Sequence, residues 1–133
     1  MNGIAQEEER ITYTRPDIPV FAFENGYRSM KELLEKNTDF TAVYAISDQL
    51  AFGAYKAILE EGYSIPGDFS VVGFDGIELT RFMHPALTTI SQPRENTARQ
   101  SVSLLLSAME KNMPPRRVLF EGELLERESV KKL

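Results

Sequence analysis

Short apolar runs alternate with amphipathic stretches along the first half of the chain. Residues 18–23, 41–46 and 69–74 are apolar and rich in strand-forming types, which predicts three buried strands. Between them, apolar residues recur every three or four positions over 27–36 and 48–61, which predicts two helices with one buried face each. Strands that are apolar on both faces and alternate with such helices are typical of an α/β fold with a three-layer parallel sheet.

The second half of the chain carries one long helical pattern between shorter strand signals. A fourth strand is expected at 87–91, and two short closing strands are expected at 118–120 and 123–125. Residues 94–111 form the longest helix signal, and its apolar positions are Ala98, Val102, Leu105, Leu106 and Met109.

Glycine and proline indicate where several of these elements end. Asn25-Gly26 is expected to stop the first strand, Gly62 to cap the second helix, and Pro114-Pro115 to stop the long helix. Glycine suits a helix end because it adopts a left-handed conformation without strain, whereas proline cannot continue a helix.

The composition is that of an ordinary soluble globular protein. The chain has 133 residues, of which 42% are hydrophobic and 26% charged, so disorder and low-complexity repeats are excluded. There is no cysteine, which excludes disulfide frameworks, thiol catalysis and zinc ribbons, and a reducing cytosol is expected. No apolar run reaches the roughly 18 residues of a membrane span, and the acidic first ten residues lack the apolar core of an export signal.

The charge balance argues against direct contact with nucleic acid. Fifteen basic and 20 acidic residues give a formal net charge of −5, which is no general footprint for a phosphate backbone. The densest basic pairs, Arg116-Arg117 and Lys131-Lys132, are interpreted as solvated surface.

The ends of the three predicted strands carry most of the candidate chemistry. In open α/β sheets, ligands bind beyond the carboxyl ends of the strands. The residues expected there are Phe23-Glu24, Ser47-Asp48 and Phe74-Asp75. Carboxylates accept paired hydroxyl hydrogen bonds and a ring covers the apolar side of a sugar, so this set favours a neutral polyhydroxyl ligand. A phosphate is disfavoured because these ends have no glycine-rich loop and no lysine.

Other roles stay open for these residues. Asp48 could simply cap the following helix, Asp75 could be a turn residue before Gly76, and Phe74 could belong to the core. Asp48 and Asp75 could also hold a magnesium ion or act as an acid–base pair. His84, the only histidine, has no ligand partner at metal spacing, so no metal site is expected around it.

Four ordered motifs resemble the lactose-repressor/galactose-repressor (LacI/GalR) family. They are TAVYAISDQLAFGA at 41–54, EGYSIPGDFSVVGFD at 61–75, PALTTI at 85–90 and LLERES at 124–129. The resemblance covers about residues 17–130. It implies a periplasmic-binding-protein-like (type I) sensor domain that binds a sugar or other small effector between two subdomains, without catalytic residues or a cofactor.

The resemblance also implies particular effector contacts. Asp75 matches a principal effector contact, Phe21 matches an aromatic that stacks on the ligand, and Ser47 stands where an asparagine often reaches the effector. With Asp48 from the predicted sheet edge, these residues form the expected effector site.

Homodimerisation is a further implication of the resemblance. The family pairs its sensor domains through the helix that follows Ser47-Asp48 and through the segment after Asp75. The residues expected at that interface are Leu50, Ala51, Ala54, Tyr55, Leu79, Phe82 and Met83.

The resemblance further implies that the chain is the last part of a longer regulator. The expected organisation is an N-terminal segment of uncertain structure (1–16), the core of the C-terminal sensor subdomain (17–92), a crossing segment and helix of the N-terminal subdomain (93–121), and a closing strand and tail (122–133). Operator DNA is expected to be bound only by a helix-turn-helix domain, which these residues do not contain.

The long helix would then lack its native partner. Leaving its large apolar side chains in water forfeits roughly 1.5 to 3 kcal/mol each. We therefore expect the helix either to pack on a second copy of the chain or to fold back onto the sheet.

The leading hypothesis is the effector-sensing and dimerising part of a cytoplasmic LacI-type repressor, a binding module and not an enzyme. One alternative is a sugar-binding protein of a transport system, which shares the fold. The other is a magnesium-dependent or acid–base enzyme that uses Asp48 and Asp75.

Overall fold

A computed structural model describes residues 8–36, 39–111 and 116–132 of the chain. After a 3-10 turn at Glu8–Arg10, the helices are α1 (Phe23–Glu35), α2 (Asp48–Glu60) and α3 (Arg94–Lys111). A short 3-10 helix spans Glu78–Phe82. The strands are β1 (Ala42–Tyr44), β2 (Ser70–Asp75), β3 (Thr88–Ser91) and β4 (Glu123–Leu125).

The four strands form one mostly parallel sheet in the order β1-β2-β3-β4. Strand β2 pairs in parallel with both β1 and β3, and β4 runs antiparallel to β3. The carboxyl ends of the three parallel strands therefore lie at one edge of the sheet. The predicted α/β class and parallel pairing of the strands are confirmed.

Helix α2 joins the sheet to α1. It packs on β2 with one face and on α1 with another. The α1 and α2 backbones approach so closely that a Cβ on Gly26 would lie 2.1 Å from the Leu50 carbonyl oxygen, and one on Gly53 would lie 2.0 Å from that of Phe23. Only glycine permits this crossing, which closes the core around Met30, Ile58 and Val71.

The prediction of a first strand at residues 18–23 is wrong. Residues 18–22 form a turn, and helix α1 begins at Phe23, four residues before its expected start. Asn25 and Gly26 lie inside the helix, where both make tertiary contacts. The buried Asn25 side chain accepts from the Arg15 amide at 3.1 Å and donates to the Pro19 carbonyl at 3.0 Å, while Gly26 meets α2.

Most other predicted elements are confirmed with shifted bounds. Helix α3 matches its expected range, and Gly62 follows α2 with a φ of +83°, as a terminating glycine requires. Residues 118–120 form no strand, whereas 123–125 do. The expected stop at Pro114-Pro115 lies outside the described residues.

The sheet face opposite α2 is partly open. Val43 packs into the core, but its neighbour Tyr44 points to the other face and is 59% exposed. Helix α3 is also uncovered, with Val102, Leu105, Leu106 and Met109 all exposed and Met109 at 73%. The helix does not fold back onto the sheet, which removes one of its two expected arrangements.

Residues near the C-terminal end of the chain hydrogen-bond to the middle of the sheet. Ser129 is fully buried, and its hydroxyl donates to the Val71 carbonyl at 2.6 Å and accepts from the Thr88 amide at 2.8 Å. Two residues earlier, the Arg127 guanidinium donates to Thr80 Oγ1 at 2.7 Å and to the Leu87 carbonyl at 2.6 Å. The LLERES motif thus ties β2, β3 and the 3-10 helix together.

Candidate functional site

Asp75 ends β2 at the carboxyl edge of the sheet and is partly exposed. Its φ of +123° lies in a region that side chains other than glycine rarely occupy, and such conformations cluster at functional sites. Its Oδ1 accepts a 2.8 Å hydrogen bond from Nε2 of Gln92, which directly follows β3. The carboxylate and the amide together offer an acceptor and a donor to a ligand at this edge.

Gly76 completes the turn that aims Asp75. It has a φ of +67°, and a Cβ there would lie 2.6 Å from Cα of Ser91, so the turn presses directly on the end of β3. The Arg94 guanidinium lies 3.5 Å from the Gly76 carbonyl, at the outer limit of a hydrogen bond. The start of α3 therefore also borders this edge.

Asp48 has a different position from the expected effector contact. Its side chain is fully buried at the start of α2, with Thr89 Oγ1 donating to Oδ1 at 2.6 Å and the Ile77 amide donating to Oδ2 at 2.8 Å. Burial raises the pKa of Asp48, while the hydrogen bonds from Thr89 and Ile77 oppose that shift. Both oxygens accept from protein donors, and the side chain is closed to solvent.

Ser47, not Asp48, caps helix α2. It has extended backbone angles, and its Oγ accepts from the Leu50 amide at 3.2 Å. The residue is buried, so its hydroxyl serves the helix and not the sheet edge. Ser47 nevertheless lies three residues after the end of β1, between that strand and α2, as the sequence pattern predicts.

The aromatic candidates differ in the elements that carry them. Phe21 is on the turn before α1 and is 52% exposed. Phe23 is the first residue of α1 and stacks on Phe52, with ring centroids 5.7 Å apart. Because residues 18–23 form no strand, Phe23 and Glu24 do not follow a strand end, and that part of the prediction is wrong. Phe74 is partly buried in β2, at that edge.

The expected dimer residues divide into two groups. Leu79 and Phe82 are exposed on the 3-10 helix, Phe82 at 67%, and the Arg81 guanidinium lies 4.8 Å from the Phe82 ring centroid. Met83 is partly buried against the core. The other four are buried within this chain, and they are Leu50, Ala51, Ala54 and Tyr55. Their stripe on α2 is used by the chain's own core.

Gln92 and Thr89 contact the two candidate carboxylates, and the sequence pattern predicted neither contact. Gln92 follows the predicted strand 87–91 directly, so the same strand-end rule that selected Asp75 could have found it. Thr89 gave no such signal, since its role depends on the buried carboxylate across the sheet from it. The magnesium alternative loses support because Asp48 is buried among protein donors.

Comparison with known proteins places this arrangement in a family. Residues 4–130 match the family of periplasmic binding protein-like domains. The chain belongs to that family. Within it, the chain is a periplasmic binding protein-like domain of the type found in LacI-family transcriptional regulators.

The relatives of this periplasmic binding protein-like domain are regulators, not enzymes. It is 40% identical over 104 residues to the HTH-type transcriptional regulator MalR of Clostridium butyricum, covering 78% of this chain and 31% of MalR. It superimposes on a transcriptional regulator CelR–cellobiose complex with a TM-score of 0.87 and 30% identity, over 96% of this chain and 38% of the other. A ribose-bound LacI-family regulator from Enterococcus faecalis V583 matches with a TM-score of 0.79 and 30% identity, over 90% and 43% of the two chains.

The periplasmic binding protein-like chain spans 26–34% of the length of the curated relatives it matches. No helix among the described residues is long and apolar enough to cross a membrane.

Proposed function

We propose that this chain is the effector-sensing and dimerising part of a cytoplasmic LacI-type transcriptional repressor, with a sugar as effector. The observation that carries the proposal is the Asp75 carboxylate, set by a strained turn at the carboxyl edge of the parallel sheet and paired with Gln92. A carboxylate and an amide at fixed spacing suit the vicinal hydroxyls of a sugar. The cellobiose and ribose named for two solved relatives support a sugar effector.

The effector would act by biasing the arrangement of two subdomains. One wall of the cleft is the sheet edge that bears Asp75, and the other wall would come from residues outside this chain. A ligand that binds one arrangement more tightly shifts the population toward it, and operator affinity would change with that population. Operator contact itself would belong to a helix-turn-helix domain elsewhere in the regulator.

Self-association would use the exposed end of the 3-10 helix. Leu79 and Phe82 are large apolar side chains left in solvent by this chain's own packing, as interface residues often are. The four α2 residues of the expected interface would support this surface from below and would not contact the partner, because they are buried.

Calorimetric titration of the full-length regulator with cellobiose and with ribose tests the effector site. We expect at least one sugar to bind, and Asp75→Ala to weaken binding roughly 10- to 100-fold, since a hydrogen bond to a charged group is lost. Asp39→Ala, which removes an exposed carboxylate away from the strand ends, is the matched control and should bind like the unaltered regulator. Failure of both sugars to bind, or equal affinity in the Asp75→Ala variant, would contradict the proposal.

A further inference from the structure

A buried carboxylate next to the effector site has no part in the contact proposed above. Asp48 is fully buried, with its two oxygens bound by the Thr89 hydroxyl and the Ile77 amide. Strand β2 passes so close that a Cβ on Gly73 would lie 2.3 Å from Asp48 Oδ1. Burying a charge is costly unless donors surround it, so this arrangement persists only because several parts of the chain converge on the group.

The groups that converge on Asp48 are bonded to, or lie in, the turn that aims Asp75. Ile77 is two residues after Asp75, and its amide donates to Asp48 Oδ2. Thr89 Oγ1 donates to Asp48 Oδ1 and also accepts from the Gly76 amide at 3.3 Å. The amides of both residues that follow Asp75 are thus anchored, one directly and one through Thr89.

The turn needs such anchors because its conformation is unfavourable in isolation. Asp75 and Gly76 have consecutive positive φ values, of +123° and +67°. A side-chain residue in such a conformation is held there only when its surroundings determine it. Without the anchors we expect Asp75 to relax to a negative φ, which would swing its carboxylate away from Gln92.

We propose that Asp48 is a positioning residue of the effector site, which acts through Thr89 and the Ile77 amide to hold the Asp75 carboxylate where the effector meets it. The expected effect on effector binding rests on the proposed function. The effect of Asp48 on the Asp75 turn does not depend on that function, so the turn and the binding can be tested separately.

Nuclear magnetic resonance of the 133-residue chain tests the geometry with a matched pair at Thr89. Thr89→Val removes the hydroxyl and keeps the shape, whereas Thr89→Ser keeps the hydroxyl. In the Val variant we expect amide exchange at Gly76 to rise at least roughly tenfold, as one hydrogen bond is lost. We also expect the Gln92 side-chain amide resonances to move to the positions of a solvated glutamine. The Ser variant should restore both signals.

A second variant, Asp48→Asn, should produce the same two changes, because asparagine has only one side-chain oxygen to accept and cannot accept from both the Thr89 hydroxyl and the Ile77 amide as the carboxylate does. The core amides of α2, such as Ala57, serve as the check that each variant is folded. If Asp48→Asn fails to fold, the Thr89 pair still decides. Wild-type signals at Gly76 and Gln92 in Thr89→Val, or equal perturbation in Thr89→Ser, would overturn the proposal.

Titration of the full-length regulator with cellobiose and ribose then separates this inference from the proposed function. Thr89→Val should weaken sugar binding roughly tenfold, with Thr89→Ser close to the unaltered protein. If Asp75→Ala abolishes binding but Thr89→Val does not weaken it, the positioning role is wrong while the effector site stands. If Asp75→Ala has no effect, the proposed effector site is wrong, and the exchange result at Gly76 reports on the turn alone.

Discussion

Asp48 and Asp75 are acidic residues at neighbouring strand ends, yet their surroundings separate their roles. Asp75 stays partly exposed and meets a side-chain donor, Gln92. Asp48 is enclosed by donors from β3 and from the turn after β2, and burial raises its pKa. Sequence position alone placed both residues at the correct edge of the sheet. The two residues differ in burial because Thr89 and the turn after β2 enclose Asp48 and leave Asp75 partly exposed.

Tyr55 provides a pH-dependent prediction at the same scale. Its hydroxyl donates to the Pro85 carbonyl at 3.2 Å, and burial raises the pKa of Tyr55 from 10.0 to about 12. The folded state therefore resists ionisation that the unfolded chain undergoes. This contribution to stability is complete below pH 10 and is lost as the pH rises through about 12.

Urea unfolding at a series of alkaline pH values would measure this effect. The free energy of unfolding should fall over that interval in the unaltered chain and fall less steeply in Tyr55→Phe, which has no group to ionise. Tyr13→Phe, which alters an exposed tyrosine, should keep the original steepness. An identical alkaline loss in Tyr55→Phe and the unaltered chain would count against the assigned pKa.

Elements with a strong period are predictable here, and elements that depend on distant contacts are not. Helix α3 and strands β1 to β3 follow from apolar spacing that local chemistry enforces. Residues 18–23 have the apolar run of a strand but form a turn, because Asn25 hydrogen-bonds that segment and Gly26 must meet Leu50. No sequence pattern within 18–26 predicts that Gly26 contacts Leu50, which is more than twenty positions away.

The uncovered face of α3 leads to a prediction about self-association of the 133-residue chain. Val102, Leu105, Leu106 and Met109 recur at helical spacing and are all exposed. Sedimentation velocity should show association that increases with concentration, since each large side chain gains roughly 1.5 to 3 kcal/mol on full burial. Leu105→Glu should reduce this association.

A charge on the other side of α3 is the control for that experiment. Gln100 lies on the opposite face by helical geometry, so Gln100→Glu adds the same charge outside the apolar stripe. It should associate like the unaltered chain. A wild-type chain that stays monomeric at every concentration would refute the prediction that α3 packs on a second copy.

At the scale of the whole molecule, the structure resembles one wall of a larger binding unit. The sheet presents Asp75 and Gln92 at one edge, and α3 begins beside the same edge. The tail returns to β2 and β3 through Ser129 and Arg127, so the last residues stabilise the wall as a unit. In the proposed function, an effector would shift the position of this wall relative to its counterpart.

The proposed dimer surface gives a prediction at this scale. In the full-length regulator, Phe82→Glu should shift the dimer–monomer equilibrium toward monomer, because the exposed ring would be replaced by a charge at the interface. Sedimentation equilibrium measures the shift, and Glu78→Gln on the same 3-10 helix is the control. Unchanged dimer affinity in the Phe82→Glu variant would exclude this surface.

The sequence by itself determined the α/β alternation, the parallel strands, the family and the strand end that bears Asp75. These features depend on short-range periodicity and on ordered motifs, both of which involve residues that are close together in the sequence. Tertiary structure alone decided that Asp48 and Ser47 are buried, that Thr89 and Gln92 bond to Asp48 and Asp75, and that residues 18–23 form no strand. Each of these outcomes depends on which distant groups meet in three dimensions, because burial and hydrogen-bond partners are properties of the packed chain and not of a segment.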